Sequence, residues 1–272
     1  MTARMFLGHD AVPAIAPDDR GLAYGESLFE TMRAHRGAVP WWDAHMARLQ
    51  SGAARLAMPL PEGARMHVEA MKLLDGADGV LKLQLTRGGG VRGYAPDMEA
   101  PPFWMLSVHA LPQKIDAADV IWCQTRLAAQ PLFAGLKHGN RLEQVLAATE
   151  VRAAGAVEGL MCNASGDVIA ATSANAFALI DGQWRTPGID DCGVAGVMRG
   201  WVLAQRDAKV TMLKPADIEQ ADAVFLCNAV RGILPVRRLG TQRWPRMHPE
   251  IRALQSALAQ SHPGFDPPRE AS

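Results

Sequence analysis

Segments with the pattern of β-strands alternate with segments that have the pattern of α-helices along this chain, first in one block and then in a second. Leu28 to Ala34 has strand character, and Asp43 stands at an N-cap position before apolar residues at helical spacing. The chain has 272 residues, which is enough to bury one large core or two moderate ones. Intermixed strands and helices predict an α/β fold of the mixed α+β kind.

Residues 113–118 resemble a linker, which predicts an N-terminal α/β domain over 1–112 and a C-terminal α/β domain over 119–272. In the first domain the predicted elements are a strand over 28–34, a returning hairpin strand over 39–42, a helix from Asp43 to Pro59, a helix over 62–74, and strands over 80–86 and 103–111. In the second they are strands over 120–127, 160–163, 167–170, 176–180, 183–185, 210–213, 223–227 and 233–237, and helices over 141–154, 196–206 and 250–260.

The charge balance excludes two classes of partner. The chain has 28 basic and 28 acidic residues, so its net charge of zero argues against binding nucleic acid or a membrane through bulk positive charge. A hydrophobic content of 49% excludes a disordered chain, and no apolar run approaches the roughly 18 residues of a membrane span. Four widely separated cysteines give no metal-ligand spacing. A cytoplasmic globular protein is expected, because the N-terminus also has no signal-peptide pattern.

The segment from Gly88 to Gly93 matches G-x-G-x-x-G, but it cannot be a dinucleotide fingerprint. That fingerprint needs a helix directly after the glycines, whereas Tyr94-Ala-Pro and later Pro101-Pro102 follow here. Two interpretations stay open. The segment is either a plain flexible loop, or a mobile substrate loop whose Arg87, Arg92 and Tyr94 are suited to bind a carboxylate.

Lys137 is one of only six lysines, beside 22 arginines, and the other five have the pattern of ordinary surface or strand positions. It stands in the apolar stretch Leu132-Phe-Ala-Gly-Leu-Lys. An amine in apolar surroundings has a lowered pKa and becomes a usable nucleophile or base. From the residues alone, an ordinary surface lysine before a helix is the favoured interpretation, because single lysines are common.

The small residues of Gly193-Val-Ala-Gly-Val-Met-Arg199 open a predicted helix. Free backbone N–H groups at such a start can hold a phosphate, although a close packing turn has the same pattern. Arg48, late on the first helix, is suited to pair with a phosphate or to face solvent. His45 is expected on a helix face rather than as a ligand.

Taken in order, five motifs resemble the class IV (fold type IV) pyridoxal-phosphate enzymes, from about Asp19 to about Val236. The segment from Leu136 to Leu146 is the most specific, and it is similar to the 4-amino-4-deoxychorismate lyase branch. The motifs are Asp19-Arg-Gly-Leu-Ala-Tyr-Gly-Glu-Ser-Leu-Phe-Glu-Thr31 with His45-x-x-Arg48, Arg87-Gly-Gly-Gly-Val-Arg-Gly-Tyr94, Leu136-Lys-His-Gly-Asn-Arg-Leu, Gly193-Val-Ala-Gly-Val-Met-Arg199 and Cys227-Asn-Ala-Val-Arg-Gly.

The resemblance implies a two-domain fold like that of D-amino-acid aminotransferase, a homodimer, and pyridoxal 5'-phosphate held between the domains. Lys137 is then the catalytic lysine that carries the cofactor. The implied cofactor contacts are Arg48, the backbone N–H groups of Val197 and Met198, Asn140 and Arg141 near the phenolic oxygen, and the region of Asn228 and Ala229. The implied substrate contacts are Thr31, Arg87, Arg92 and Tyr94.

One position departs from the family pattern. Family members usually carry a Glu that contacts the pyridine nitrogen, and Ala170 stands at that position in the segment from Val168 to Asn175. A carboxylate there keeps the ring protonated and strengthens it as an electron sink. Thr172 or Ser173 is the alternative source of a neutral hydrogen bond.

The function implied by the resemblance is a lyase that converts 4-amino-4-deoxychorismate to 4-aminobenzoate and pyruvate in folate biosynthesis. Loss of the Glu threatens this reaction less than transamination, because formation of an aromatic ring drives it. Two alternatives are an aminotransferase for D-amino or branched-chain amino acids, and a non-catalytic binding protein of the same fold.

Overall fold

The computed structural model describes residues 2–90 and 92–265, and these form two compact units. The first unit holds the described residues up to Pro112 together with Leu136–Asn140. The second holds Gln113–Gly135 and the described residues from Arg141 onward. Both units contain helices and a sheet, so the prediction of a mixed α/β fold is confirmed.

The first unit is built on one antiparallel sheet of five strands, in the order β2-β1-β5-β4-β3. Its elements are β1 (Thr2–Leu7), β2 (Asp10–Ala11), α1 (Arg20–Tyr24), β3 (Ser27–Ala34), α2 (Trp42–Arg55), α3 (Gly63–Leu74), β4 (Gly79–Thr86) and β5 (Phe103–His109). Side chains alternate between the faces of a strand, and in β3 every second residue is buried. The buried face packs with α2 and α3, and the other face is more open.

The hairpin strand predicted over 39–42 is wrong. The chain turns back at His35 and Ala38 through a single isolated bridge, Trp41 adopts a left-handed backbone with φ 58°, and α2 begins at Trp42. Asp43 accordingly lies in the first turn of α2 rather than at its N-cap. The strand that pairs with β3 along its whole length is β4.

The nine strands described in the second unit form one mixed sheet in the order β11-β10-β9-β12-β13-β6-β7-β8, with β14 paired to β13. Its elements are β6 (Ala118–Trp122), α4 (Leu142–Ala153), β7 (Glu158–Cys162), β8 (Val168–Ala171), β9 (Asn175–Ile180), β10 (Gln183–Pro187), α5 (Val197–Gln205), β11 (Lys209–Thr211), α6 (Pro215–Glu219), β12 (Ala223–Asn228), β13 (Gly232–Leu239), β14 (Gln242–Arg243) and α7 (Pro249–Ser261). Strands β7 and β8 are buried on both faces, which explains their continuous apolar sequence.

The segment from Leu136 to Asn140 groups with the first unit, although the sequence analysis assigned the lysine to the C-terminal domain. The reason is backbone pairing with β3, which the position of the segment along the chain does not reveal. Strand β6 begins at Ala118, the last residue of the predicted linker. No helix within residues 2–90 and 92–265 is long and apolar enough to cross a membrane.

Candidate active site

Lys137 is held by its own backbone against the outer edge of β3. The Phe29 N–H donates to the Lys137 carbonyl at 3.0 Å, and the Gly139 N–H donates to the Ser27 carbonyl at 2.9 Å. A Cβ at residue 139 would lie 2.0 Å from the Ser27 Oγ, so any larger residue here would force the Ser27 side chain to move. Leu136 is buried beside the lysine and anchors the segment.

The amine of Lys137 lies over an aromatic ring that it shares with a second amine. Its Nζ is 4.4 Å from the centre of the Phe29 ring, and the Nζ of Lys82 is 5.5 Å from the same centre. The two nitrogens are therefore no more than 9.9 Å apart. Such amine–ring contacts are favourable for the cationic form of either amine.

Thr31 belongs to the same group of side chains. It lies two residues after Phe29 in β3 and directly opposite Lys82 in β4, so all three residues share the open face of the sheet. The sequence context of Lys82 is that of an ordinary strand residue, so its position beside Phe29 could not be predicted from it. Only the register between β3 and β4 brings it to Phe29.

Arg48 is tied to a buried carboxylate on the other face of β3. Its Nε donates to Glu30 Oε1 at 2.8 Å and its Nη2 donates to Glu30 Oε2, which makes the pair bidentate. His45 Nδ1 lies 2.7 Å from the same Oε2, and both Glu30 and His45 are fully buried. The residues from 44 to 48 form one turn of α2, which places both donors on the side of the helix that faces β3.

The ionisation of this group follows from its burial. Burial alone would raise the pKa of Glu30, but hydrogen bonds from His45 and Arg48 outweigh it and the pKa is lowered. Burial lowers the pKa of His45 despite the neighbouring Glu30, and the charges of Arg48 and Lys137 lower it further. Glu30 is thus ionised beside a neutral His45, whose Nδ1–H donates and whose buried Nε2 has no hydrogen-bond partner among the described residues.

The three residues predicted as substrate contacts around the loop after β4 differ in their exposure to solvent. Arg87 is buried and donates from Nε to Glu26, from Nη1 to the Ala57 carbonyl at 2.9 Å and from Nη2 to the Leu56 carbonyl at 2.9 Å. All three of its guanidinium nitrogens thus donate within the protein, and the structure does not support the prediction of a substrate contact at Arg87. Arg92 and Tyr94 are exposed, with 87% of Tyr94 accessible.

Asn140 ends the lysine segment. Gly25, with φ +68°, packs so tightly against it that an added Cβ would lie 2.0 Å from the Asn140 Oδ1. Asn140 is therefore a neighbour of the turn that leads into β3. Arg141 belongs to the second unit, where it is the N-cap residue of α4.

The second unit offers a helix N-terminus with open backbone donors. Helix α5 starts at Val197 after Gly196, and no side chain caps it. The first N–H groups of a helix have no partner within the helix, so those of Val197 and Met198 are suited to an anion. A Cβ at residue 196 would lie 2.0 Å from the Asn175 Oδ1, while the Asn175 Nδ2 donates to the Val194 carbonyl at 3.0 Å. The Asn175 side chain thus packs against Gly196 and holds the turn before α5 through the Val194 carbonyl.

Asn228 and Ala229 form the turn between β12 and β13. The Asn228 Oδ1 accepts from the N–H groups of Val230 at 3.0 Å and Arg231 at 2.8 Å, and its Nδ2 donates to the Ser173 carbonyl at 3.3 Å. The Asn228 side chain therefore shapes the turn and fastens it to the segment after β8.

Ala170 lies in β8 with its methyl group among apolar side chains that include Cys123 and Met161. The hydroxyl groups of Thr172 and Ser173 both donate to Glu158, a buried carboxylate that the sequence analysis overlooked. These hydroxyls are engaged with Glu158 and are not held ready as donors elsewhere. The sequence feature that could have indicated a buried carboxylate at Glu158 is an acidic residue at the start of an otherwise apolar strand.

Comparison with known proteins identifies the family to which the chain is similar. The family described as amino-transferase class IV matches residues 27–239. The chain is 35% identical over 230 residues to an aminodeoxychorismate lyase of Vibrio harveyi, covering 80% of this chain and 84% of that one. It is 28% identical over 230 residues to a putative branched-chain-amino-acid aminotransferase of Methanocaldococcus jannaschii, covering 80% of each.

A solved structure is similar over almost the whole length. The crystal structure of 4-amino-4-deoxychorismate lyase from Pseudomonas aeruginosa superposes with a TM-score of 0.89 at 40% identity, covering 96% of this chain and 99% of that one. The lysine, Arg48 and the α5 turn all lie within the matched residues 27–239. The resemblance drawn from the motifs is confirmed, and the chain belongs to the class IV aminotransferase family.

Proposed function

We propose that this chain is a pyridoxal-phosphate-dependent lyase that converts 4-amino-4-deoxychorismate to 4-aminobenzoate and pyruvate. The observation that carries the proposal is the likeness to a solved lyase of this name over 96% of the chain, with Lys137 held over Phe29. Among the relatives reported above, the lyases have higher identities than the aminotransferase.

In this proposal Lys137 acts twice. Its amine would hold the cofactor, and the same amine would act as the base that removes the proton from the amine-bearing carbon of the substrate. When bound, the cofactor serves as an electron sink for the charge formed at that carbon. The C–O bond to the enolpyruvyl group breaks as the ring becomes aromatic, the electron pair leaves with the oxygen, and the departing enolate takes up a proton on its methylene carbon to become pyruvate. The Phe29 ring lies next to the Lys137 amine and limits the positions that the amine can take.

Three groups are proposed to bind the two carboxylates of the substrate. Lys82 shares the Phe29 ring with Lys137 and can supply a positive charge close to the reacting carbon. Arg92 and Tyr94 are exposed on the loop after β4 and supply a guanidinium and a phenol. Thr31, opposite Lys82, is proposed to bind the substrate through its hydroxyl group.

The proposed ligands of the cofactor phosphate are Arg48 and the N–H groups of Val197 and Met198. The residues present fit such a group, because the α5 turn is uncapped and a Cβ at Gly196 would collide with Asn175. Helix N-termini of this kind bind phosphate through backbone donors and the helix dipole. The other proposed cofactor contacts are Asn140, Arg141, Asn228 and Ala229.

Two glycines, Gly196 before α5 and Gly200 within it, test the phosphate turn. Gly196→Ala forces the Asn175 Oδ1 or the turn to move, and we expect pyridoxal phosphate to bind about 10- to 100-fold more weakly, as overpacking costs about 1–3 kcal/mol. The measurement is a titration of the cofactor followed by visible absorbance. Gly200→Ala is the matched control, because nothing lies within 4 Å of an added Cβ there. Equal affinities of the two variants would contradict this role for the turn.

Ala170 favours the lyase over an aminotransferase. It supplies no carboxylate to a pyridine nitrogen, and Thr172 and Ser173 are engaged with Glu158. A weaker electron sink suffices for an elimination that is driven by formation of an aromatic ring. The likeness to branched-chain aminotransferases keeps that activity as the second candidate. Incubation with amino acids that converts the cofactor to its amine form would support the second candidate.

The experiment that tests the proposed function is a product assay of the cofactor-loaded wild-type protein. With 4-amino-4-deoxychorismate, we expect 4-aminobenzoate and pyruvate in equal amounts. A visible absorbance band without either product would leave a cofactor-binding member of the family and refute the lyase assignment. Absence of any band after addition of the cofactor would support a non-catalytic protein instead.

We further propose a homodimer, from an exposed apolar surface on α4 and the segment before it. Leu142, Val145 and Leu146 lie on one side of the helix and are 78%, 58% and 60% exposed, and Leu132 is 74% exposed. Spacing of i, i+3 and i+4 makes the first three one continuous stripe. Contiguous apolar surface of this kind is typical of a protein interface.

Leu146→Glu is expected to shift the protein towards monomer in sedimentation experiments, because a charge in an apolar interface is costly to desolvate. Met212→Glu is the control, since Met212 is 69% exposed and lies outside α4. A Leu146→Glu protein that keeps the assembly state of the wild type would refute this interface.

A further inference from the structure

The loop after β4 is hydrogen-bonded to side chains of α1 at Gly93 and Tyr94. Arg20 Nη1 donates to the Gly93 carbonyl at 2.9 Å, and Arg20 Nη2 donates to the Tyr94 carbonyl at 2.8 Å. The hydroxyl of Tyr24 accepts from the Gly93 N–H at 3.2 Å, and the rings of Tyr24 and Tyr94 lie 5.5 Å apart. One guanidinium and one phenol thus hold three consecutive peptide groups.

The other end of the loop is fastened to the same short helix. The Arg20 N–H donates to the Gly88 carbonyl at 2.9 Å, and the Thr86 hydroxyl donates to Asp19 at 2.7 Å. Asp19 in turn caps α1 by accepting from the Gly21 N–H. The approach is so close that a Cβ at Gly21 would lie 2.4 Å from the methyl carbon of Thr86. Helix α1 and the first residues of the loop are therefore held together by these contacts.

Arg20 is itself fixed by a buried ionic triad. Its Nε donates to Glu26 Oε2 at 2.5 Å, its guanidinium lies 4.7 Å from the centre of the Tyr24 ring, and its side chain is 5% exposed. The second oxygen of Glu26 accepts from Arg87 Nε at 2.5 Å, and Arg87 is bound to the carbonyls at the end of α2. Glu26 stays paired with Arg87 when Arg20 is replaced, so the triad does not leave a lone buried charge.

We propose that Arg20 is a positioning residue for substrate recognition: it fixes the backbone at Gly93 and Tyr94 so that Arg92 and Tyr94 stand ready for a substrate carboxylate. The inference rests on the proposed function for its substrate, but the fastening itself does not. Holding the loop before binding removes the entropy that would otherwise be lost on ordering it. This differs from the mobile substrate loop that the glycines of the sequence suggest.

The test compares Arg20→Met with Arg20→Lys in the cofactor-loaded protein. Arg20→Met removes both carbonyl contacts, and we expect KM for 4-amino-4-deoxychorismate to rise about 10- to 100-fold with kcat and cofactor affinity within about twofold of wild type. Arg20→Lys keeps one positive donor and is expected to recover part of the KM. Arg4→Met is the control, because Arg4 pairs with Glu69 and is absent from this network.

A second measurement is independent of catalysis. Hydrogen exchange of peptides that span Gly93 to Met98, in protein without substrate, is expected to be at least tenfold faster in Arg20→Met and unchanged in Arg4→Met. If Arg20→Met fails to fold, Tyr24→Phe replaces it, because it removes only the acceptor for the Gly93 N–H.

The outcomes separate the two proposals. Unchanged exchange would overturn the positioning role whatever the activity. Faster exchange in an active protein with an unchanged KM, or with only kcat lowered, would also overturn it. If Arg20→Met exchanges faster but the wild-type protein forms no 4-aminobenzoate, the lyase assignment is refuted and the fastening of the loop by Arg20 stands.

Discussion

Lys137→Ala is expected to lower kcat for formation of 4-aminobenzoate by at least about 10³-fold. A positioned general base alone contributes about 10²- to 10⁴-fold, and this variant also loses the amine that holds the cofactor. The measurement is single-turnover formation of product, together with the visible absorbance of the protein after addition of pyridoxal phosphate. The absorbance band of the covalently held cofactor should be absent. Effects on activity and on absorbance should therefore appear together.

Lys209→Ala is the matched control for this variant, because Lys209 is exposed on the edge strand β11 of the other unit. It should retain the kcat, the KM and the band of the wild-type protein. Small primary amines added to Lys137→Ala should restore part of the turnover, since they can replace the missing base. A Lys137→Ala protein with normal turnover would overturn the proposed mechanism.

Local patterns in the sequence were sufficient for the elements around the site. The strand over 28–34, the helices over 62–74 and 196–206, and the family resemblance were all visible, because each depends on neighbours along the chain. Period-two burial in β3 follows directly from its alternating residues. The positions proposed for the cofactor phosphate were visible for the same reason, as glycines before a helix.

Contacts that depend on register were not visible. Lys82 comes to the Phe29 ring only through the pairing of β4 with β3, and Lys137 joins the first unit only through the backbone bonds of its segment. Arg87 was expected beside Arg92 as a substrate contact, but a buried acceptor on Glu26 takes up its guanidinium. Sequence spacing does not distinguish an arginine that binds ligands from one that satisfies buried carbonyls.

The predicted strand over 39–42 shows how tertiary contacts override propensity. Its apolar residues suit a strand, yet Trp41 adopts a left-handed backbone and α2 begins at Trp42, so that Trp42 and Leu49 pack with the buried face of β3. A local pattern carries no information about this tertiary packing.

Glu30→Gln is expected to lower the free energy of unfolding by about 3–5 kcal/mol, because it leaves the buried His45 and the partly buried Arg48 without their shared carboxylate. Urea unfolding at several cofactor concentrations measures this loss and allows the contribution of ligand binding to be subtracted. Glu69→Gln is the matched control, since its partners Arg4 and Lys72 are exposed and such pairs contribute at most about 1 kcal/mol. Similar losses in both variants would contradict the role of the buried group.

The same group makes stability depend on pH in a direction that can be worked out. The pKa values of His45 and Glu30 are both lowered in the folded protein, from ordinary values of 6.5 and 4.5. As the pH falls below 6.5, unfolded chains take up a proton at His45 that the folded protein refuses, and below 4.5 the same holds for Glu30. Wild-type stability therefore falls with acid in two stages. The deficit of Glu30→Gln should be full above pH 4.5 and shrink below it, whereas a deficit that is constant with pH would show that the charge of Glu30 does not hold this group together.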